Sequence, residues 1–81
     1  MNVIVYKKAG CPWAAAVEAF LQAVDVPFEV RDVTKNPAFR REVEEKSGQS
    51  KSPTLDIDGE MVPDASVEDV AEALENAGIA T

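Results

Sequence analysis

Cys11 is the one thiol in the chain, with Lys7 and Lys8 just upstream and Pro12 and Trp13 just downstream. A cysteine reacts as its thiolate. Nearby cations favour that form, as does the start of a helix, where unpaired backbone N–H groups and the positive end of the helix dipole converge. In such settings a thiol pKa falls from ~8.5 into the range of about 3.5 to 7.5. Most free cysteines are instead small buried hydrophobes, so the position of Cys11 in the fold decides between a nucleophile and a core residue. With one cysteine and no histidine, the sequence excludes an internal disulfide, the usual zinc ligand sets and every histidine-assisted acid–base scheme. Sulfur exchange at Cys11 therefore needs a second thiol from outside the chain.

A second segment able to present backbone groups is Ser52-Pro53-Thr54. A proline directly before a strand cannot donate to a ladder and belongs at a strand edge or turn. Only ~5–6% of such bonds are cis in folded proteins, so trans is the expectation from frequency alone.

The elements that position these residues can be read from periodicity. Val3-Ile4-Val5-Tyr6 is a β-branched and aromatic run without alternation, suited to a central strand covered on both faces, which makes Tyr6 a core or wall residue. Ala9-Gly10 breaks it. After Cys11, apolar residues recur as Val17, Phe20, Leu21 and Val24, the spacing of an amphipathic helix, with Pro12 at its first turn and Pro27 closing the region. Phe28-Glu29-Val30-Arg31 alternates as a half-exposed strand, so strand, helix and strand make a parallel unit with a right-handed crossover. Asn36-Pro37 opens a charged helix through Phe39, Val43 and Lys46 that Ser47-Gly48 stops. Leu55 and Ile57 alternate with Asp56 and Asp58. Asp58-Gly59 turns the chain so that Glu60-Met61-Val62 pairs back. Ser66, with Asp69 three residues on, caps a last helix carrying Val67, Val70, Ala71 and Leu74, and Gly78 ends it. The resulting β-α-β-α-β-β-α order is an α/β fold with a four-stranded mixed sheet flanked by three helices, one domain over residues 1–81. Phe20, Phe28 and Phe39 belong to its core.

Charge and length limit the partners. The chain has 81 residues, a net charge of −7 and a pI near 4.4, which argues against nucleic acid or an anionic membrane. All eight basic residues lie within the first 51 positions, alongside seven acids, a net of +1. From Ser52 onward there are eight acids and no base, read as a solvated face. No apolar run approaches the roughly 18 residues that span a bilayer, and no signal pattern opens the chain; a cytoplasmic monomer is the expectation.

Taken together, Tyr6-Lys7-Lys8-Ala9-Gly10-Cys11-Pro12-Trp13, the helix after it, Ser47-Gly48-Gln49, Ser52-Pro53 and the strand through Leu55-Asp56-Ile57-Asp58-Gly59-Glu60 resemble a glutaredoxin of the thioredoxin superfamily, end to end. The resemblance implies a thioredoxin-like fold, a nucleophilic Cys11 and a cis Pro53 facing it. It also implies glutathione as co-substrate, with no resident cofactor, and glutathionylated or disulfide-containing proteins as substrates. Lys8 takes the position of a glutathione-contacting lysine and Trp13 the aromatic position after Pro12, as substrate platform or as packing on the domain. Gln49 takes a polar contact position, and the Ser52 main chain the place that pairs with the glutathione backbone.

Two departures accompany the resemblance. Ala14 stands where dithiol members carry a second cysteine, which leaves a monothiol cycle in which glutathione from solution resolves the Cys11 mixed disulfide. Pro63-Asp64-Ala65-Ser66 replaces the usual Gly-Gly, small residue and Asp at the ligand's carboxylate end, where Pro63 removes an N–H and Asp64 adds negative charge; the Ser66 hydroxyl and the following helix N-terminus offset this in part. Three alternatives stay open: a thioredoxin-fold module that binds partners without turnover, a trapping variant of a dithiol protein with Ala14 in place of its second cysteine, and, less favoured because Pro12-Trp13 follows Cys11, a [2Fe–2S] carrier.

Overall fold

The β-branched run at the start forms strand β1 (Val3–Lys7), which lies inside the sheet with a neighbour on each side. The computed structural model describes residues 1–78. Within them β1 is followed by α1 (Pro12–Ala23), β2 (Glu29–Asp32), α2 (Pro37–Ser47), β3 (Thr54–Ile57), β4 (Glu60–Val62) and α3 (Val67–Asn76), the order expected from the sequence. The strands lie side by side as β2-β1-β3-β4, with β1 parallel to β2 and antiparallel to β3, and β3 antiparallel to β4. A parallel pair needs a long crossover, and α1 supplies it. No helix among the described residues is long and apolar enough to cross a membrane.

The main core lies between the sheet and the pair α1 and α3. Val17 and Leu21 of α1 and Val70 and Leu74 of α3, at helical spacing, meet Val3, Val5, Leu55 and Ile57 from one face of β1 and β3. Phe20 and Phe28 pack at its margin and Phe39 at the margin of the smaller core on the other face, all three half-buried rather than central.

That second face is held differently. Helix α2 buries only Val43 completely, against Tyr6 and Val33, and polar groups close the rest. The Tyr6 hydroxyl donates to Glu42, and Arg31 also donates to Glu42. Lys46 Nζ lies 3.1 Å from the Tyr6 hydroxyl and 2.9 Å from Asp56 Oδ2. Asp56 is therefore buried and ion-paired, not part of a solvated face. Its second oxygen accepts the Gly59 N–H at 2.7 Å and steadies the β3–β4 turn, where Asp58 and Gly59 both have positive φ as a two-residue hairpin requires.

Boundaries shift by one to a few residues. Helix α1 stops at Ala23, well before Pro27. Asp25 adopts φ 56°, its N–H bonds to the Gln22 carbonyl and the Val26 N–H to that of Leu21, the crossed pair that closes a helix end. Strand β2 runs Glu29–Asp32 rather than Phe28–Arg31, because its ladder to β1 begins at Glu29 opposite Ile4.

Truncating Leu21 to Ala removes a fully buried side chain, and the expected cost is about 2–5 kcal/mol. That is a large share of the roughly 4–12 kcal/mol available to a chain of this length. Urea denaturation should show Leu21→Ala largely unfolded or with a sharply lower midpoint, and Phe39→Ala, at the margin, less affected.

Candidate active site

Strand β1 delivers the chain to a tight turn in which the Cys11 N–H donates to the Lys8 carbonyl at 3.3 Å. Gly10, at φ 77°, occupies the left-handed region that makes this turn accessible. The Ala9 N–H reaches Thr34 Oγ1 at 3.4 Å, and Thr34 is itself held by Asp32 Oδ1, so the loop after β2 braces the loop after β1. Sequence reasoning missed Thr34; the Asp-x-Thr spacing, an Asx turn, is the signal that points to it.

Cys11 is the N-cap of α1, with extended backbone at φ −76° and ψ 113°. No side-chain oxygen caps this helix and Pro12 fills its first position, so the sulfur stands where a capping group would. Across from it, the Ser52–Pro53 peptide is cis, as the resemblance implied and against the general frequency. Ser52 Oγ accepts the Lys8 N–H at 3.0 Å, and Cys11 Sγ lies 3.6 Å from the Ser52 carbonyl oxygen. Pro53 is fully buried, and its carbonyl accepts the Ala65 N–H at 2.8 Å, which ties the approach to α3 to the same site.

Partial burial by itself would raise the Cys11 pKa. The Ser52 hydroxyl, the Ala14 and Trp13 N–H groups and the positive charge of Lys8 outweigh it, so the thiol titrates below its ordinary value. Lys7 contributes nothing comparable: its ammonium pairs with Glu18 of α1 at 3.2 Å. The sulfur is half-buried and faces the Ser52 carbonyl rather than lying in the apolar core. Trp13 projects beside it, 69% exposed, and Pro12 is exposed as well. Ala14 is completely buried.

The remaining residues singled out from the sequence divide into two groups. Gln49 is turned inward. Its Nε2 donates to Ser47 Oγ at 2.7 Å and Thr54 Oγ1 at 3.1 Å, and its Oε1 accepts the Lys51 N–H at 2.6 Å, so it shapes the loop that carries Ser52. Asp64, Ala65 and Ser66 lie at the start of α3. Asp64 is exposed at φ 50° with its carboxylate 4.0 Å from Lys51 Nζ, and Ala65 is buried. Ser66 forms a reciprocal cap with Asp69: its Oγ accepts the Asp69 N–H at 3.1 Å and its own N–H donates to Asp69 Oδ2 at 3.0 Å.

Residues 3–62 match the family profile described as glutaredoxin. The chain belongs to the glutaredoxin family. It is 31% identical to glutaredoxin 3 of Escherichia coli (strain K12) over 61 residues, 75% of this chain and 74% of that protein. It is 42% identical to the chloroplastic monothiol glutaredoxin-S7 of Oryza sativa subsp. japonica over 51 residues, 63% of this chain but 30% of the rice protein's length. Among solved structures, the thioredoxin-like protein BC3987 superposes with a TM-score of 0.81 at 31% identity, covering 86% of this chain and 96% of that one. The thioredoxin-like fold implied by the sequence is borne out, and membership places the chain in a family of thiol–disulfide oxidoreductases.

The pH midpoint of Cys11 alkylation should lie below that of an ordinary thiol, and Ser52→Ala or Lys8→Met should raise it. The folded pKa is depressed relative to the unfolded chain, so the linked stability is fully present above the unfolded value of ~8.5 and is lost as pH falls through the folded value. Denaturation of the reduced protein at several pH values in that window should show stability rising with pH, and Cys11→Ser should flatten the trend.

Proposed function

We propose that this glutaredoxin is a thiol–disulfide oxidoreductase working by a monothiol cycle, with Cys11 as nucleophile and glutathione from solution as the thiol that completes it. One observation carries the reading: Cys11 Sγ stands at the start of α1 against the Ser52 carbonyl, and the position three residues on is a buried alanine. In the first step the Cys11 thiolate attacks a mixed disulfide between a protein and glutathione. A Cys11–glutathione disulfide forms and the protein's sulfur leaves as a thiolate. In the second step a glutathione thiolate attacks that disulfide, forming oxidised glutathione and returning the Cys11 thiolate.

Each neighbouring group has a part that the geometry supports. The Trp13 and Ala14 N–H groups and Lys8 favour the Cys11 thiolate as attacking and as leaving group. The Ser52 main chain, next to the cis bond to Pro53 and with its carbonyl 3.6 Å from Cys11 Sγ, pairs with the backbone of a bound peptide in this reading. Trp13 offers an exposed aromatic face to the substrate, and Pro12 sets the first turn beneath it. Gln49 holds the Ser52 loop in shape and contacts no ligand directly in this reading. Glutathionylated proteins are the substrate class, and the chain acts as a monomer in the cytoplasm.

Intact mass after incubation with oxidised glutathione should show one added glutathionyl group, absent in Cys11→Ser. Capture of the same partners by Cys11→Ser, without turnover by the native chain, would instead support a binding module. Installing the missing thiol as Ala14→Cys should convert the adduct into an internal disulfide, read as loss of the added mass together with both free thiols.

A further inference from the structure

The turn that carries Cys11 hangs between two hydroxyls, one from the loop on each side of β1. The Lys8 N–H donates to Ser52 Oγ at 3.0 Å, the Ala9 N–H to Thr34 Oγ1 at 3.4 Å, and the Cys11 N–H back to the Lys8 carbonyl at 3.3 Å. Ser52 also meets the sulfur, through its carbonyl, whereas Thr34 bonds the turn at Ala9. The Thr34 side is firmly anchored. Val33 is buried with Tyr6 and Val43, and its N–H donates to the Lys7 carbonyl at 2.9 Å, so the pairing of β1 with β2 continues beyond the strand ends. Asn36 caps α2, and its own N–H is held by the Asp32 carbonyl at 3.3 Å. Between these anchors Asp32 Oδ1 accepts the Thr34 N–H at 2.9 Å and the Thr34 hydroxyl proton, which directs the hydroxyl oxygen to accept from Ala9. A hydroxyl that donates to a carboxylate is a better acceptor for the next donor in line.

We propose that Thr34, oriented by Asp32, is a positioning residue of the Cys11 site: its hydroxyl holds the Lys8–Cys11 turn from the β2 side as Ser52 holds it from the β3 side, and so keeps Lys8 and the sulfur in place for attack. This deepens the reading of Cys11 as nucleophile and does not depend on which thiol completes the cycle. Thr34 meets no reacting atom and acts through Ala9. Without its hold the turn relaxes at Gly10, and Lys8 and the first N–H groups of α1 lose their alignment with the sulfur. The groups that lower the Cys11 pKa then weaken, while partial burial, which raises it, remains. Other charges at this end of the sheet are matched: Lys7 pairs with Glu18, Lys51 with Asp64, and Lys35 lies beside Asp32. A change at Thr34 that alters no charge therefore isolates the effect of position.

The test is the pH profile of Cys11 alkylation by iodoacetamide in the full chain under native conditions. Thr34→Val keeps the shape of the side chain and removes the hydroxyl, Thr34→Ala removes it with less bulk, and Thr34 is exposed, so both should fold. The Ala9 bond is the longest of the three, so the expected change is modest. The alkylation midpoint should rise by about 0.3 to 0.5 in both variants, with alkylation well below the midpoint slowed about two- to three-fold, and Thr34→Ser should return both quantities to native values. Native midpoints in Thr34→Val and Thr34→Ala, or a midpoint in Thr34→Ser raised as far as theirs, overturn the role of Thr34. The glutathionyl mass on the native chain reads the cycle separately. Uptake of that adduct with unchanged midpoints in the variants overturns the role of Thr34 and leaves the cycle standing, and raised midpoints without uptake do the reverse.

Discussion

The antiparallel pairing of β1 with β3 is the constraint on which the site depends. Tyr6 lies opposite Thr54, so the loop leaving β1 and the loop entering β3 end at the same edge of the sheet. Cys11 follows the first loop and Ser52-Pro53 closes the second, and two contacts fasten them, from the Lys8 N–H to Ser52 Oγ and from Cys11 Sγ to the Ser52 carbonyl. Because both strands are interior and their side chains are almost entirely buried, neither loop can drift without opening the core. A chain with no disulfide thereby holds its thiol against a fixed backbone partner.

Helix α2 shows a different solution to the same problem of fixing elements in a small domain. With Val43 alone fully buried, its apolar contact is thin, and the fit is completed by Tyr6, Glu42, Arg31, Lys46 and Asp56 drawn from four elements. Burial and the Glu42 carboxylate hold the Tyr6 hydroxyl protonated to higher pH than usual. The Tyr6 hydroxyl, with Arg31 and Lys46, keeps Glu42 ionised to lower pH despite its partial burial. Arg31 also lies over the Phe39 ring, its guanidinium carbon 5.6 Å from the centroid. Such networks contribute less to net stability than apolar packing of equal volume, but a partner left alone in one is costly, so they fix which side chains may meet.

This explains what the sequence showed and what it hid. Periodicity gave every element, because burial of Val17, Leu21, Val70 and Leu74 on one side of their helices is a local pattern. Asp56 was hidden: alternation with Leu55 and Ile57 made it look solvent-facing, and only the fold brings Lys46 to it, ten residues upstream. The setting of Cys11 at a helix start was legible from its place between strand and helix, whereas the direction of Gln49 was not, since an amide facing a ligand and one bridging Ser47 and Thr54 look alike in sequence. The cis bond before Pro53 was legible only through the family resemblance. Helix α1 ended early for a reason written in hydrogen bonds rather than composition, an aspartate accepting the conformation usually given to glycine.

The uneven charge along the chain acquires meaning at the starts of the two helices that meet the site. The first turn of α1 contains no acid, and its cap position is a sulfur, so the N–H groups of Trp13 and Ala14 remain directed at Cys11 and favour its thiolate. The first turn of α3 contains Glu68 and Asp69, and the reciprocal Ser66–Asp69 cap draws the Asp69 carboxyl below its usual range by accepting the Ser66 N–H. The N–H groups at the start of α1 favour the Cys11 thiolate, whereas at the start of α3 the Asp69 carboxylate accepts the Ser66 N–H.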